Sequence, residues 1–109
     1  MPRLRNIDIE NGEKVFEKLD VFTRKLRKKF SIRAVYLYGS LAKGEMHEGS
    51  DIDLMIVGDF KGRIFQRITE VLKLTDLPIE PLVYTNEEFR RMKKTNSFVK
   101  EALRTAQEL

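Results

Sequence analysis

Residues 38–57 read YGSLAKGEMHEGSDIDLMIV, and the reading of this stretch decides the fold. Its end, Asp51 to Val57, has the apolar composition of a buried strand, yet Asp51 and Asp53 stand inside it. Side chains alternate across a strand, so the two aspartates share one face and Ile52, Leu54 and Ile56 the other. Positions i and i+2 lie about 6.5–7 Å apart along a strand, close enough for both carboxylates to turn toward one divalent cation. Without a cation or a basic partner, two such groups repel each other, and at least one holds its proton more tightly. A bare Asp-x-Asp also has a plainer reading, with Asp51 capping the strand start and Asp53 solvated on an open sheet face.

The residues upstream change the weighting. Gly39-Ser40 follows "RAVYLY" (Arg33 to Tyr38), a run of β-formers read as a strand. "SLAK" is at most one helical turn, closed by Gly44, and residues 45–50 are a polar loop. A strand followed by Gly and a helical turn offers free backbone N–H groups to a phosphate. Gly39 lets the backbone approach closely, and the Ser40 hydroxyl adds a donor. Gly-Ser alone is a common turn. The combination of strand, Gly-Ser, short turn, Gly, polar loop and Ser-Asp-x-Asp places a phosphate cradle beside a pair of metal-ligating carboxylates.

Outward from this unit, Val15, Phe16, Leu19, Phe22, Leu26 and Phe30 recur at helical spacing over residues 12–30. Ile64, Phe65, Ile68, Val71 and Leu72 mark a second helix. "IEPLVY" (Ile79 to Tyr84) is a third strand, and Pro81 confines it to a sheet edge or a bulge. "TNEE" (Thr85 to Glu88) is a capping box that opens a helix through about Lys94. Asn96 or Ser97 then caps a last helix, expected to run to the C-terminus. The expected fold class is α/β (α+β): a small mixed β-sheet covered by helices.

"GSLAKG" followed by "SDIDLMIV" resembles the minimal nucleotidyltransferases of the DNA polymerase β superfamily. The likeness rests on Gly39, Ser40, Ala42, Lys43, Gly44, Ser50, Asp51, Ile52, Asp53 and Leu54, in order and spacing, and extends through "IEPLVYTNEEF" to cover Val35 to Phe89. It implies a polymerase β-like nucleotidyltransferase fold and a Mg²⁺-dependent transfer of a nucleoside monophosphate, AMP from ATP, to a hydroxyl acceptor. It implies that Gly39 and Ser40 hold the terminal phosphates, with Lys43 and Ser50 completing the nucleotide-binding set. Asp51 and Asp53 would bind two Mg²⁺ ions, expected about 3.5–4 Å apart. A third carboxylate on the next strand would complete one metal site and help deprotonate the attacking hydroxyl. Glu80 stands at that position, where the family usually has Asp. Glu is one methylene longer, and Pro81 follows it. Asp59 and Asp76 do not fit the spacing.

Family members of this size are often antitoxins that pair with an α-helical HEPN-type ribonuclease toxin, and some adenylylate it. The resemblance therefore implies a HEPN-type toxin as partner and acceptor. Two rival readings are a contact antitoxin with a silent site and an RNA-modifying transferase.

The bulk composition agrees. The chain has 109 residues, enough for one compact domain (residues 1–109) and too few for two. It is 41% hydrophobic and 35% charged, with 21 Lys+Arg against 17 Asp+Glu. The net charge of +4 permits an anionic ligand without demanding one. With no cysteine there is neither a disulfide framework nor a thiolate zinc site. The N-terminus lacks the apolar core of a signal peptide, and no apolar run approaches the roughly 20 residues that span a bilayer, so a cytoplasmic location is expected. His47 reads as an exposed loop residue, and Glu45 and Glu48 as solvated. The basic clusters Arg24, Lys25, Arg27, Lys28, Lys29 and Arg90, Arg91, Lys93, Lys94 read as wetted helix faces or as a docking surface for RNA or an acidic protein. Tyr36 and Tyr38 read as core and rim residues, and Phe89, Met92 and Phe98 as core or a partner-facing patch.

Overall fold

A computed structural model describes residues 6–44 and 51–109, with side chains described from Lys14 onward. The elements run α1 (Asn6–Lys29), β1 (Ser31–Tyr38), β2 (Ile52–Asp59), α2 (Ile64–Leu72), β3 (Ile79–Thr85), α3 (Asn86–Thr95), α4 (Ser97–Thr105) and β4 (Gln107–Glu108). The sheet order is β3-β2-β1-β4. Strand β1 is antiparallel to both β2 and β4, whereas β2 and β3 are parallel, so the sheet is mixed as expected. Parallel neighbours need a crossover, and α2 supplies it.

Strand β2 is central and is buried on both sides from Leu54 to Gly58, which is why its sequence is nearly continuous in apolar residues. One face of the sheet presents Val35, Leu37, Ile52, Leu54, Ile56, Ile79 and Val83 to Leu19, Phe22 and Leu26 of α1 and Val71 of α2. The other presents Met55, Val57 and Tyr84 to Phe89 of α3 and Val99 of α4, flanked by Tyr36 and Tyr38. Helices therefore lie on both faces of a single sheet. Burying one such Leu, Ile or Val contributes about 1.5–3 kcal/mol.

Pro81 lies on β3 at the sheet edge, where its missing N–H costs no ladder bond to an outer neighbour. The Thr85 hydroxyl accepts from the Glu88 N–H at 3.1 Å, and the Glu88 carboxylate accepts from the Thr85 N–H at 2.8 Å, closing the expected capping box. Asn96 caps α4 by accepting from the Val99 N–H at 3.0 Å.

Three expectations are corrected. Helix α1 begins at Asn6, ahead of the apolar periodicity, and Phe16 is 40% exposed rather than core. Strand β2 begins at Ile52, leaving Asp51 exposed at its head. The last helix stops at Thr105, and the chain turns back to pair Gln107 with Leu37 and Glu108 with Tyr36. The exposed edge of β1 offers a ladder, and no propensity in a two-residue strand competes with it.

Arg67 fastens α2 to the β3–α3 junction. Its side chain, only 10% exposed, donates to Glu88 at 2.7 and 3.4 Å, to the Val83 carbonyl at 3.3 Å and to the Gly62 carbonyl at 3.0 Å. The guanidinium beside Glu88 is the largest cause holding that carboxyl below its ordinary 4.5. Glu88 therefore contributes stability that is complete above the ordinary value and is lost as pH falls through the lowered one. Arg67→Met should destabilise the fold by about 1–3 kcal/mol in urea unfolding at pH 7, the scale of hydrogen bonds to a charged group. The difference from the parent should shrink as pH falls below 4.5; an unchanged difference at low pH would refute the charge-assisted account.

Candidate active site

The strand registers assemble one row of side chains across three strands. Tyr38 on β1 lies opposite Asp53 on β2, and Asp53 lies beside Glu80 on β3. All three belong to the face that carries Met55 and Tyr84, by strand alternation. Helix α3 covers that face further along β2 and β3, and α4 lies over β1. Asp53 is half-buried, and Asp51 and Glu80 are exposed.

The carboxyl groups act on one another. Burial pushes the Asp53 carboxyl above its ordinary range and the Asp51 charge adds to this, while a hydrogen bond with Glu80 works the other way. Glu80 is raised, first through its hydrogen bond to Asp51, then by the Asp51 charge, with Asp53 contributing less. A hydrogen bond between the Glu80 and Asp51 carboxyls needs a proton, and of these two it is the Glu80 carboxyl whose proton affinity is raised. Tyr38 is pushed up to about 12 by burial, then by the charges of Asp53, Tyr84 and Glu80, so it remains a neutral hydroxyl.

Gly39 follows Tyr38 and so sits against Asp53. Its φ is +77°, and a Cβ there would overlap the Asp53 carboxylate, with Cγ at 3.2 Å. The position excludes a side chain twice, by backbone region and by space. The turn behind it is held by Lys43 N–H donating to the Gly39 and Ser40 carbonyls at 3.3 and 3.1 Å, and by Gly44 N–H donating to Leu41 at 3.1 Å. The backbone N–H groups of Ser40, Leu41 and Ala42 have no partner among the described residues. They are available to an anion. Ser40 is half-buried and Lys43 exposed.

The sequence gives no sign of the brace on this turn. Gln107 Nε2 donates to the Ala42 carbonyl at 3.1 Å, and Leu109 N–H donates to Val35 at 2.8 Å. The contact spans 65 positions of chain, so no local pattern carries it.

Ser50, His47, Glu45 and Glu48 lie outside the described residues. Asp59 and Asp76 are exposed and away from the row. A groove of about 660 Å³ lies between α1 and the segment linking α2 to β3, lined by Glu17, Lys18, Lys25, Lys73 and Asp76 among others. Its lining mixes both signs of charge, and it lies on the α1 side of the sheet, away from Asp53.

The site is thus a set of free N–H groups beside three carboxyls, of which Asp53 and Glu80 are raised. A family model for a nucleotidyltransferase domain matches residues 19–105, which takes in all of this site. The chain belongs to the nucleotidyltransferase-domain family. A solved structure from Sulfolobus solfataricus, described as a "putative nucleotidyltransferase", aligns with TM-score 0.64 over 76% of this chain and 78% of its own, at 23% identity. That likeness speaks for the fold. No curated protein matches the chain.

Members of such a family act on nucleotides, whose phosphates are commonly bound together with a divalent cation. Three carboxylates are hard oxygen ligands suited to Mg²⁺. The raised proton affinity of Asp53 and Glu80 is also relieved by a positive charge between them. Among the described residues, however, no three such side chains are drawn closely enough about one point to form a ready cage. The chemistry fits, and closing the site needs rotation of the exposed Asp51 and Glu80 side chains.

Two predictions follow from this geometry. Gly39→Ala should cost about 1–2 kcal/mol of stability from the backbone region alone, read by chemical unfolding, and should displace Asp53; an unperturbed variant would refute the close approach. Because Glu80 is raised, its carboxyl contributes stability that is complete below the ordinary value of 4.5 and is lost as pH rises through the raised one. In EDTA, Glu80→Gln should therefore gain thermal stability relative to the parent on going from pH 4 to pH 7. A parallel pair of melting profiles would contradict the proton-sharing arrangement.

Proposed function

We propose that this nucleotidyltransferase domain transfers a nucleoside monophosphate, AMP from ATP, to a hydroxyl acceptor in a Mg²⁺-dependent reaction. The observation that carries this reading is the seating of Asp53 between the Gly39 backbone and Glu80. It sets a phosphate cradle and an acidic row side by side. The Ser40–Ala42 N–H groups and the Ser40 hydroxyl bind the terminal phosphates, and Lys43 and Ser50 belong to the same subsite. Asp51 and Asp53 hold the cations with Glu80. A divalent cation bound there supplies charge neutralisation at the phosphates and a more acidic acceptor hydroxyl. With positive charge in the site the Glu80 side chain is a free carboxylate, and it helps take the acceptor's proton. Pyrophosphate leaves, and no covalent enzyme intermediate is involved. One methylene of extra length lets Glu80 span from β3 to both aspartates, which supports Glu in place of the family's usual Asp.

The acceptor in this reading is a HEPN-type toxin encoded beside this gene, with the domain as its antitoxin. The support is the resemblance of "GSLAKG…SDID" to minimal antitoxin nucleotidyltransferases. The open state of the carboxyl row favours one rival, a binding module that silences its partner by contact.

The test mixes the protein with the product of the adjacent gene, or with total RNA, in [α-³²P]ATP and Mg²⁺. The expected result is label on the partner protein, abolished by EDTA. Asp53→Asn should reduce it by at least about 10²-fold, the scale lost with one preorganised electrostatic partner. Label retained by Asp53→Asn would sink the carboxylate assignment. A partner silenced without label would establish the contact module, and label on RNA would reassign the acceptor.

A further inference from the structure

The face that carries the acidic row also carries two aromatic pairs. Tyr36 stacks with Phe89 at 5.7 Å between centroids, and both contribute to the inner cluster. Tyr38 meets Phe98 edge-on at 5.8 Å and 85°, at the rim. Phe98 opens α4 and is 52% exposed, although the rest of its turn packs Val99 into the core. An exposed Phe is unremarkable alone. This one is fixed against the residue in register with Asp53.

The order of the row assigns the two sides of the site. Strand β1 ends in the Gly39–Ser40 turn that would hold the phosphate tail, and Tyr38 precedes it directly. Glu80, which would take the acceptor's proton, lies on β3 at the opposite edge. The β1 side thus belongs to the donor and the β3 side to the acceptor. We propose that Tyr38 and Phe98 form an aromatic ledge on which the nucleobase of the donor nucleotide stacks. This deepens the proposed nucleotidyl transfer and rests on it. The ledge contributes affinity through the π-face, which every base has, and leaves the choice of base to other contacts.

The experiment compares Mg²⁺-ATP with Mg²⁺-tripolyphosphate, which shares the phosphates and lacks the base, by calorimetric titration of the full chain. Wild type should bind ATP more tightly. Phe98→Ala should weaken ATP about 5- to 150-fold, the size of one base–aromatic stack, and leave tripolyphosphate within about 2-fold. Phe98→Trp should keep ATP affinity. Should Phe98→Ala fail to fold by circular dichroism, Phe98→Leu, which keeps the apolar bulk and loses the ring, should show the same selective loss. Equal ATP affinity in wild type and the ringless variant overturns the ledge alone, as does a parallel loss for both ligands. Wild type that binds neither ligand overturns the proposed function and the ledge with it.

Discussion

The placement of Asp53 is the constraint on which the site depends. It is fixed by two ladders of opposite sense, β2 with β1 antiparallel and β2 with β3 parallel. The first brings the end of β1, and so Gly39, to Asp53. The second brings the start of β3, and so Glu80, to its other side. A one-residue slip of β2 would send the carboxylate to the opposite face, toward Val35 and Leu37 of β1, and would turn Leu54 and Ile56 out of that core. The full burial of those residues is what prevents the slip. The apolar half of β2 thus fixes the register for its acidic half.

Local electrostatics follows from that placement. Three carboxyl groups near one another would repel; Asp51 and Glu80 meet this by staying exposed, and the Glu80 carboxyl is raised by its neighbours. Asp53, the least free of the three, is the one raised chiefly by burial. A site of this kind has a standing affinity for positive charge. The remote ties hold the frame: Arg67 joins α2 to the start of α3, and Gln107 braces the Gly-Ser turn from the returning chain.

Much of this was legible beforehand because it is written in short-range patterns. The elements from β1 to α3 lie close to their expected positions, since Gly39, Pro81 and the Thr85–Glu88 box punctuate the chain by local backbone rules. Pro81 left β3 an edge strand or a bulge, and β3 is an edge strand; the opposite faces of Asp53 and of Ile52, Leu54 and Ile56 follow from strand geometry. Where local patterns were weak the reading missed. Helix α1 continues through polar residues that no periodicity marks, and β4 is two residues long.

The sequence by itself determined that a Gly-Ser turn and an Asp-x-Asp strand start would stand in one functional unit, because the spacing and the period of two are local properties. The resemblance also pointed to Glu80, but only the tertiary structure seats it beside Asp53, through a parallel register reached across a crossover helix. The same holds for Gln107 at the turn and Phe98 beside Tyr38. Each contact joins residues far apart in the chain, and such contacts are chosen by the packing of the whole sheet between its helices.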